Sequence, residues 1–249
     1  METLSVIDCA ISSPSNDCLN EIIKRTKIPF TYHLPAMNGT ESLKEDLDAK
    51  AYLVFGSHSS VNEELPWQNN MAQFLVEKLN QGIPVLGLCF GHQLMAKAFG
   101  GKVENASTEH KGVREWEIIS KDDRWNLSKK DKFLSVVYHK EEIKELPSSF
   151  QHLGQSDRCK YDVVSHKSLP YLGTQGHPEA SQYFVDKEME MENQIPEDLV
   201  LRALNDGNVF LDSFLKAAGF FFDCSVNHFV RVHTMNPDRH SLNTQDIAH

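Results

Sequence analysis

The sequence predicts an α/β fold: a mostly parallel sheet with helices on both faces. Two observations carry that expectation. Over the first hundred residues, short apolar or β-branched runs alternate with stretches of helical periodicity. In the middle of the chain, strand-like runs follow one another with no helix between them, which predicts an antiparallel excursion before the chain turns helical again.

The elements follow in order. Residues 4–9 and 29–34 read as strands, and residues 17–26 between them as a helix with Leu19, Ile22 and Ile23 on one face. Residues 51–55 form a third strand, ended by Gly56. Residues 66–79 carry Trp67, Met71, Phe74, Leu75 and Leu79 at helical spacing behind Pro66. The compact apolar run 84–88 is a fourth strand, and the helix after it stops at Gly100-Gly101. The excursion comprises runs at 113–119, 133–137, 152–155, 163–165 and Tyr171–Thr174. Helical patterns then cover 181–192, 197–205, 209–218 and 226–232. No repeat, low-complexity tract or linker interrupts them, so a single domain over residues 1–233 is expected, with a polar tail over 234–249.

Composition excludes several function classes. Of 249 residues, 40% are apolar and 24% charged, ordinary for a packed domain rather than a disordered or collagen-like chain. Lys and Arg total 25 against 35 Asp and Glu, a formal charge of −10 with no basic patch, so no nucleic-acid partner is expected. The five cysteines are scattered without CxxC or zinc spacing, which predicts thiols in a reducing cytoplasm. No basic leader precedes an apolar stretch, and no run of about 18 apolar residues occurs, so neither a signal peptide nor a membrane span is expected. Twelve histidines include no HExxH pair, and no P-loop or GxGxxG follows a strand; neither metal nor nucleotide cofactor is expected.

The strongest chemical signal is Gly87-Leu88-Cys89-Phe90-Gly91-His92-Gln93. A buried strand runs directly into a helix with a cysteine at the junction and glycines two residues to either side. Such an elbow forces unusual backbone angles and pushes a nucleophile out over the sheet edge. The positive end of the following helix also favours an anion there. Taken alone, the pattern also describes a buried structural cysteine at a strand end. A thiolate nucleophile needs a base and a group to orient it. Gly173-Thr174-Gln175-Gly176-His177-Pro178-Glu179 supplies both: an apolar strand ends, then presents an imidazole and a carboxylate two residues apart, stiffened by proline.

Together the two segments resemble the signatures of the class I glutamine amidotransferase family, and the likeness extends over roughly residues 3–230. It implies a flavodoxin-like three-layer α/β/α sandwich, with a mostly parallel central sheet, an antiparallel insertion, and a site at the C-terminal strand ends. It further implies Cys89 as nucleophile, His177 as general base and acid, Glu179 as the group orienting it, and Gln93 as a contact to bound glutamine. Residues 51–61 resemble the family's strand and oxyanion loop. Carried over, the donors are the backbone N–H groups of Ser57 and Phe90, beside Gly56 in the substrate pocket.

The chain departs from the family pattern in places. Ser57 replaces a glycine, which is less permissive for a loop of that kind. Gly176 stands where an aromatic residue is frequent, which predicts looser packing. Val137-Tyr138-His139-Lys140-Glu141 resembles a pocket loop but ends in lysine and glutamate; His139 either lines the substrate pocket or is a satisfied surface histidine. Cys159 reads as structural. The implied activity is release of ammonia from the glutamine side chain through a γ-glutamyl thioester. The acceptor would be a separate synthetase subunit, since the chain is too short to hold an ATP-using domain. A γ-glutamyl peptide or conjugate hydrolase with the same triad is the alternative. A non-catalytic binding or regulatory protein on the same fold is the second.

Overall fold

The computed structural model describes residues 2–46, 48–127, 132–191 and 194–221. Along these the chain forms β1 (Thr3–Ile7), α1 (Asn16–Thr26), β2 (Phe30–His33), the short helices α2 (Pro35–Asn38) and α3 (Glu41–Lys44), and β3 (Ala49–Val54). Then come α4 (Pro66–Asn80), β4 (Val85–Leu88), α5 (Phe90–Ala98), β5 (Lys102–Ile118), β6 (Lys132–Glu145), β7 (Phe150–Gln155), β8 (Val163–His166), β9 (Tyr171–Thr174) and α6 (Glu197–Ala217).

All nine strands join one sheet in the order β2-β1-β3-β4-β9-β8-β7-β5-β6. The first five are parallel, the doubly wound flavodoxin order with β9 in fifth place. From β9 outward every pairing is antiparallel. Side-chain alternation divides the core. Leu53 and Phe55 on one face meet Leu19 and Ile22 of α1 and Phe210 and Phe214 of α6. Tyr52 and Val54 on the other meet Met71 and Leu75 of α4 and Leu94 and Met95 of α5. Strands apolar on both faces are what a parallel sheet between helix layers demands, and the sequence shows that pattern plainly.

The antiparallel half differs from expectation in extent. The runs expected at 113–119 and 133–137 are parts of two long strands that pair from Lys102↔Glu145 to Glu117↔Lys132, with a register break between Asn105 and His110. Residues 137–141, expected as a loop, therefore lie inside β6, where Tyr138 pairs with Lys111 and His139 with His110. Backbone pairing in a long hairpin satisfies strands whose side chains carry little apolar alternation. The helix expected at 181–192 is shorter, running only to Glu188, and Phe184–Glu188 is a wide π-type stretch, with Met189 N–H donating to Phe184 C=O. The helix expected at 226–232, the boundary at 233 and the tail lie outside the described residues.

The two helices expected at 197–205 and 209–218 are one. α6 runs unbroken through Gly207, because that residue packs on the chain after β9: a Cβ there would lie 2.8 Å from the Pro178 carbonyl oxygen. Beyond this contact α6 splits its duties. Val200 and Ala203 pack with Val136, Val185 and Met189, whereas Phe210 to Leu215 cover the parallel half. Asp206 accepts the backbone N–H of Leu134 at 2.8 Å, holding the helix to β6. Gly207→Ala should gain roughly 1 kcal/mol of helix propensity. Overpacking against backbone that cannot retreat costs more, up to about 3 kcal/mol. We expect a net loss of about 1–2 kcal/mol and a Tm lower by a few degrees; a thermal melt showing a higher Tm would refute this packing account.

Candidate active site

Cys89 joins β4 to α5 with φ 46° and ψ −101°, a conformation that L-residues seldom adopt. The two glycines make it possible. A Cβ on Gly87 would lie 2.7 Å from the Gly91 carbonyl carbon, and one on Gly91 would lie 2.8 Å from Val54 Cγ1. Helix and strand thus cross at backbone contact, and the thiol is lifted to the rim of a cavity of about 360 Å³ at the C-terminal ends of the parallel strands.

His177 and Glu179 follow β9 and reach the same cavity. His177 Nδ1 lies 2.9 Å from Glu179 Oε1, both side chains buried. Glu179 Oε2 is buried without a hydrogen-bond partner among the described residues, so the imidazole is the carboxylate's principal counterpart. Burial alone would push the His177 pKa down. The Glu179 carboxylate and the nearby Cys89 sulfur outweigh it and hold the pKa well above the ordinary histidine value. Phe184, presented by the wide π-type stretch, packs on the ring at 5.1 Å. Gly56 makes room from below: a Cβ there would stand 2.9 Å from His177 Cε1 and 3.6 Å from Cys89 Cβ. Cys89, His177 and Glu179 thus border one cavity.

The segment of β6 from Tyr138 to Glu141 forms the opposite wall. The Tyr138 carbonyl faces both Cys89 Sγ, at 3.8 Å, and His177 Nε2, at 3.4 Å. Gln93 Nε2, on α5, donates to the Glu141 carbonyl at 2.7 Å and to Gln175 Oε1 at 3.1 Å. His139 is buried and lines the cavity, so it is not a surface histidine. Burial, with the Arg114 guanidinium and His110 beside it, pushes its pKa down to about 3. His92, within the elbow segment, is a core residue: it is fully buried, bonds the Tyr161 carbonyl at 3.0 Å, and burial lowers its pKa to about 3.

Ser57 lines the cavity, and its φ is not left-handed, so a serine meets no conformational penalty there. Its Oγ accepts the Ser59 N–H at 3.0 Å. Phe90 opens α5, where backbone N–H groups have no carbonyl one turn back, and its ring stacks on Trp67 at 5.4 Å. The looser packing expected at Gly176 is not seen: a Cβ there would come 2.1 Å from Ser135 Oγ and 3.1 Å from Ser135 Cβ, so the backbone lies close on that side chain. Cys159 is buried, and burial raises its pKa, in keeping with a structural thiol.

Sequence reasoning missed several residues that shape the site. Gln68 of α4 is buried and holds the loop after β3, donating to Ser59 Oγ at 2.9 Å and the Ser60 carbonyl at 3.0 Å. Arg114, His110 and Asp162 form a buried cluster behind His139. A glutamine in a helix pattern or an arginine in a polar strand carries no local signal of such contacts. Among the described residues, no three His, Cys, Asp or Glu side chains are grouped to hold a metal, and no helix is long and apolar enough to cross a membrane.

Comparison with known proteins agrees with this architecture. The chain is 40% identical over 106 residues to the glutamine-hydrolyzing GMP synthase subunit of Methanopyrus kandleri, covering 42% of this chain and 56% of that protein. It is 30% identical over 170 residues to the protein of the same name from Archaeoglobus fulgidus, covering 67% and 87%. The chain spans little more than half the length of several such relatives. Among solved structures, a glutamine amidotransferase from Thermotoga maritima superposes with a TM-score of 0.69 at 17% identity, covering 88% of this chain and 99% of that one. The glutamine amidotransferase class-I family profile matches residues 7–194, and the chain belongs to that family.

Proposed function

We propose that the protein hydrolyses the side-chain amide of glutamine, with Cys89 as nucleophile. The observation that carries this reading is the buried line from Glu179 through His177 to Cys89 at the elbow. The Cys89 sulfur attacks the carboxamide carbon, and the new S–C bond gives a tetrahedral oxyanion. The N–H groups of Ser57 and Phe90 receive that oxyanion. His177, held protonated by Glu179, donates Nε2–H to the departing nitrogen, so ammonia leaves and a γ-glutamyl thioester remains. The now neutral ring takes a proton from water, whose oxygen attacks the thioester; glutamate is released and the thiolate returns. Gly56, Gln93 and His139 border the bound substrate. The relatives are named as subunits of a synthase, and by that likeness the proposed ammonia acceptor is a separate synthetase subunit.

A second reading rests on the cavity. Its 360 Å³ extends past Cys89 to Ile11 and Pro14, room of the kind that holds ligands larger than an amino acid. A γ-glutamyl peptide or conjugate would undergo the same chemistry with an amine leaving in place of ammonia. Assays on glutamine and γ-glutamyl dipeptides separate the two. A kcat/KM tenfold higher for dipeptides, about 1.4 kcal/mol of transition-state preference, favours the conjugate.

These roles fix the expected effect of substitution. Cys89→Ala should abolish ammonia release while leaving the melt unchanged within a few degrees. His177→Ala should cost nearly as much, and Glu179→Gln less, because the ring persists but is misoriented. A γ-electrophilic glutamine analogue should add to Cys89 alone, and mass spectrometry finding equal labelling at Cys9, Cys18 or Cys159 counts against the assignment.

The pairing of His177 with Glu179 also sets a pH dependence. The folded pKa of His177 is raised above the unfolded value of about 6.5. Its stabilisation is therefore fully present below that pH and is lost as pH rises through the folded value. Urea midpoints should fall as pH rises above about 6.5, and the slope should flatten in Glu179→Gln. Equal slopes in the two proteins contradict the electrostatic pairing.

A further inference from the structure

The wall opposite Cys89 is backed by a buried ionic cluster to which the proposed chemistry assigns no part. Arg114, on β5, is buried, and Asp162, just before β8, is buried with it; Arg114 Nη2 donates to Asp162 Oδ1 at 2.5 Å. Arg114 Nη1 lies 2.8 Å from His110 Nδ1 and 3.4 Å from His139 Nε2. The two imidazoles face each other across the β5–β6 pair with centroids 4.6 Å apart.

A guanidinium can only donate. His139 Nε2, facing Arg114, therefore presents its lone pair, and the ring proton resides on Nδ1. From there it is donated to the Glu141 carbonyl, 3.0 Å away. That carbonyl's other partner is the Gln93 amide, and the Tyr138 carbonyl, earlier on the same strand, faces Cys89 and His177. One tautomer of one ring thus connects the buried ion pair to the Glu141 carbonyl that Gln93 also holds. Removing a partner from a buried ion pair leaves a charge uncompensated, so neither Arg114 nor Asp162 leaves the pair without cost.

We propose that Arg114 is a positioning residue for this site, acting through His139: it holds the ring neutral with its proton on Nδ1 and so fixes the Tyr138–Glu141 wall against Cys89 and Gln93. The functional half of the inference rests on the hydrolase reading; the half concerning the ring does not. The groups that face His139 are Arg114 and His110 from β5 and His177 from the turn after β9, with Cys89 next to His177 and Asp162 and Glu142 acting on the cluster behind.

Arg114→Met removes the charge and both donors while keeping the length. In the full chain, histidine-ring ¹⁵N spectra, with His139 assigned by its loss in His139→Asn, should show no His139 titration between pH 5 and 8 in the wild type. In Arg114→Met, where burial still acts on it, the ring's titration should move upward and begin to show at the acid end of that range. Iodoacetamide labelling of Cys89 should then gain a second inflection in its pH profile, because a charge now appears on the ring beside His177. With glutamine, KM should rise about tenfold and kcat should change less than threefold, since the wall binds rather than reacts. Arg114→Lys, which keeps the charge but cannot serve both rings and Asp162 in one plane, should restore the flat ring titration and recover only part of KM. If Arg114→Met does not fold, Arg114→Lys decides: a raised KM upholds the inference and an unchanged one overturns it. A wild-type chain inert toward glutamine defeats the hydrolase reading, and this inference is then judged on the ring spectra and the Cys89 profile. A flat His139 ring and an unaltered Cys89 profile in folded Arg114→Met overturn it.

Discussion

The reversal of chain direction at Cys89 is the constraint around which the remaining geometry is arranged. A φ of 46° at a side chain bearing a Cβ is tolerated only if the neighbours hold it there, at a cost of order 1–3 kcal/mol. Gly87 and Gly91 allow α5 to lie on β4 and β3 at backbone distance, and hydrophobic packing of Leu94 and Met95 beneath holds it down. The thiol then stands at the head of a helix, facing the imidazole that β9 delivers. Gly56 and Gly176 extend the same logic to the facing loops: each lies where a methyl group would displace His177 or strike Ser135.

The sheet brings two kinds of structure to one place. The parallel half contributes Cys89, His177 and Glu179, all beyond the C-terminal ends of strands, where a doubly wound fold leaves a crevice. The antiparallel half contributes the wall, from the middle of a strand rather than from a loop. Strand residues are held by a backbone ladder on either side of the active position, so Tyr138 and His139 are more firmly placed than a connecting turn could make them. Loops carry variation readily, whereas paired strands transmit their register to whatever they touch.

What could be read from the sequence follows this division. The parallel strands were legible because they are apolar on both faces and separated by helical periodicity. Cys89, His177 and Glu179 were legible because their neighbours are the small and rigid residues that such turns require. The full length of β5 and β6 was not legible, since polar residues such as His110 and Lys111 are held there by backbone pairing and a cross-strand histidine stack. Arg114 meets Asp162 across 48 residues, and neither has a local pattern that announces the other. The two stretches at 197–205 and 209–218 did not read as one helix, because what holds Gly207 between them, contact with Pro178, lies in a different part of the chain.

The bond from Leu134 N–H to Asp206 has a bearing on association between chains. β6 is the last strand of the sheet, and an outer strand ordinarily offers a row of free donors and acceptors to any extended peptide. Here a carboxylate already occupies one of those donors, and α6 lies across the strand beside it. Continuation of the sheet into a second molecule along this stretch is thereby blocked by a charge and a helix together. The same helix that packs on the turn bearing His177 thus also covers the start of the sheet's outermost strand.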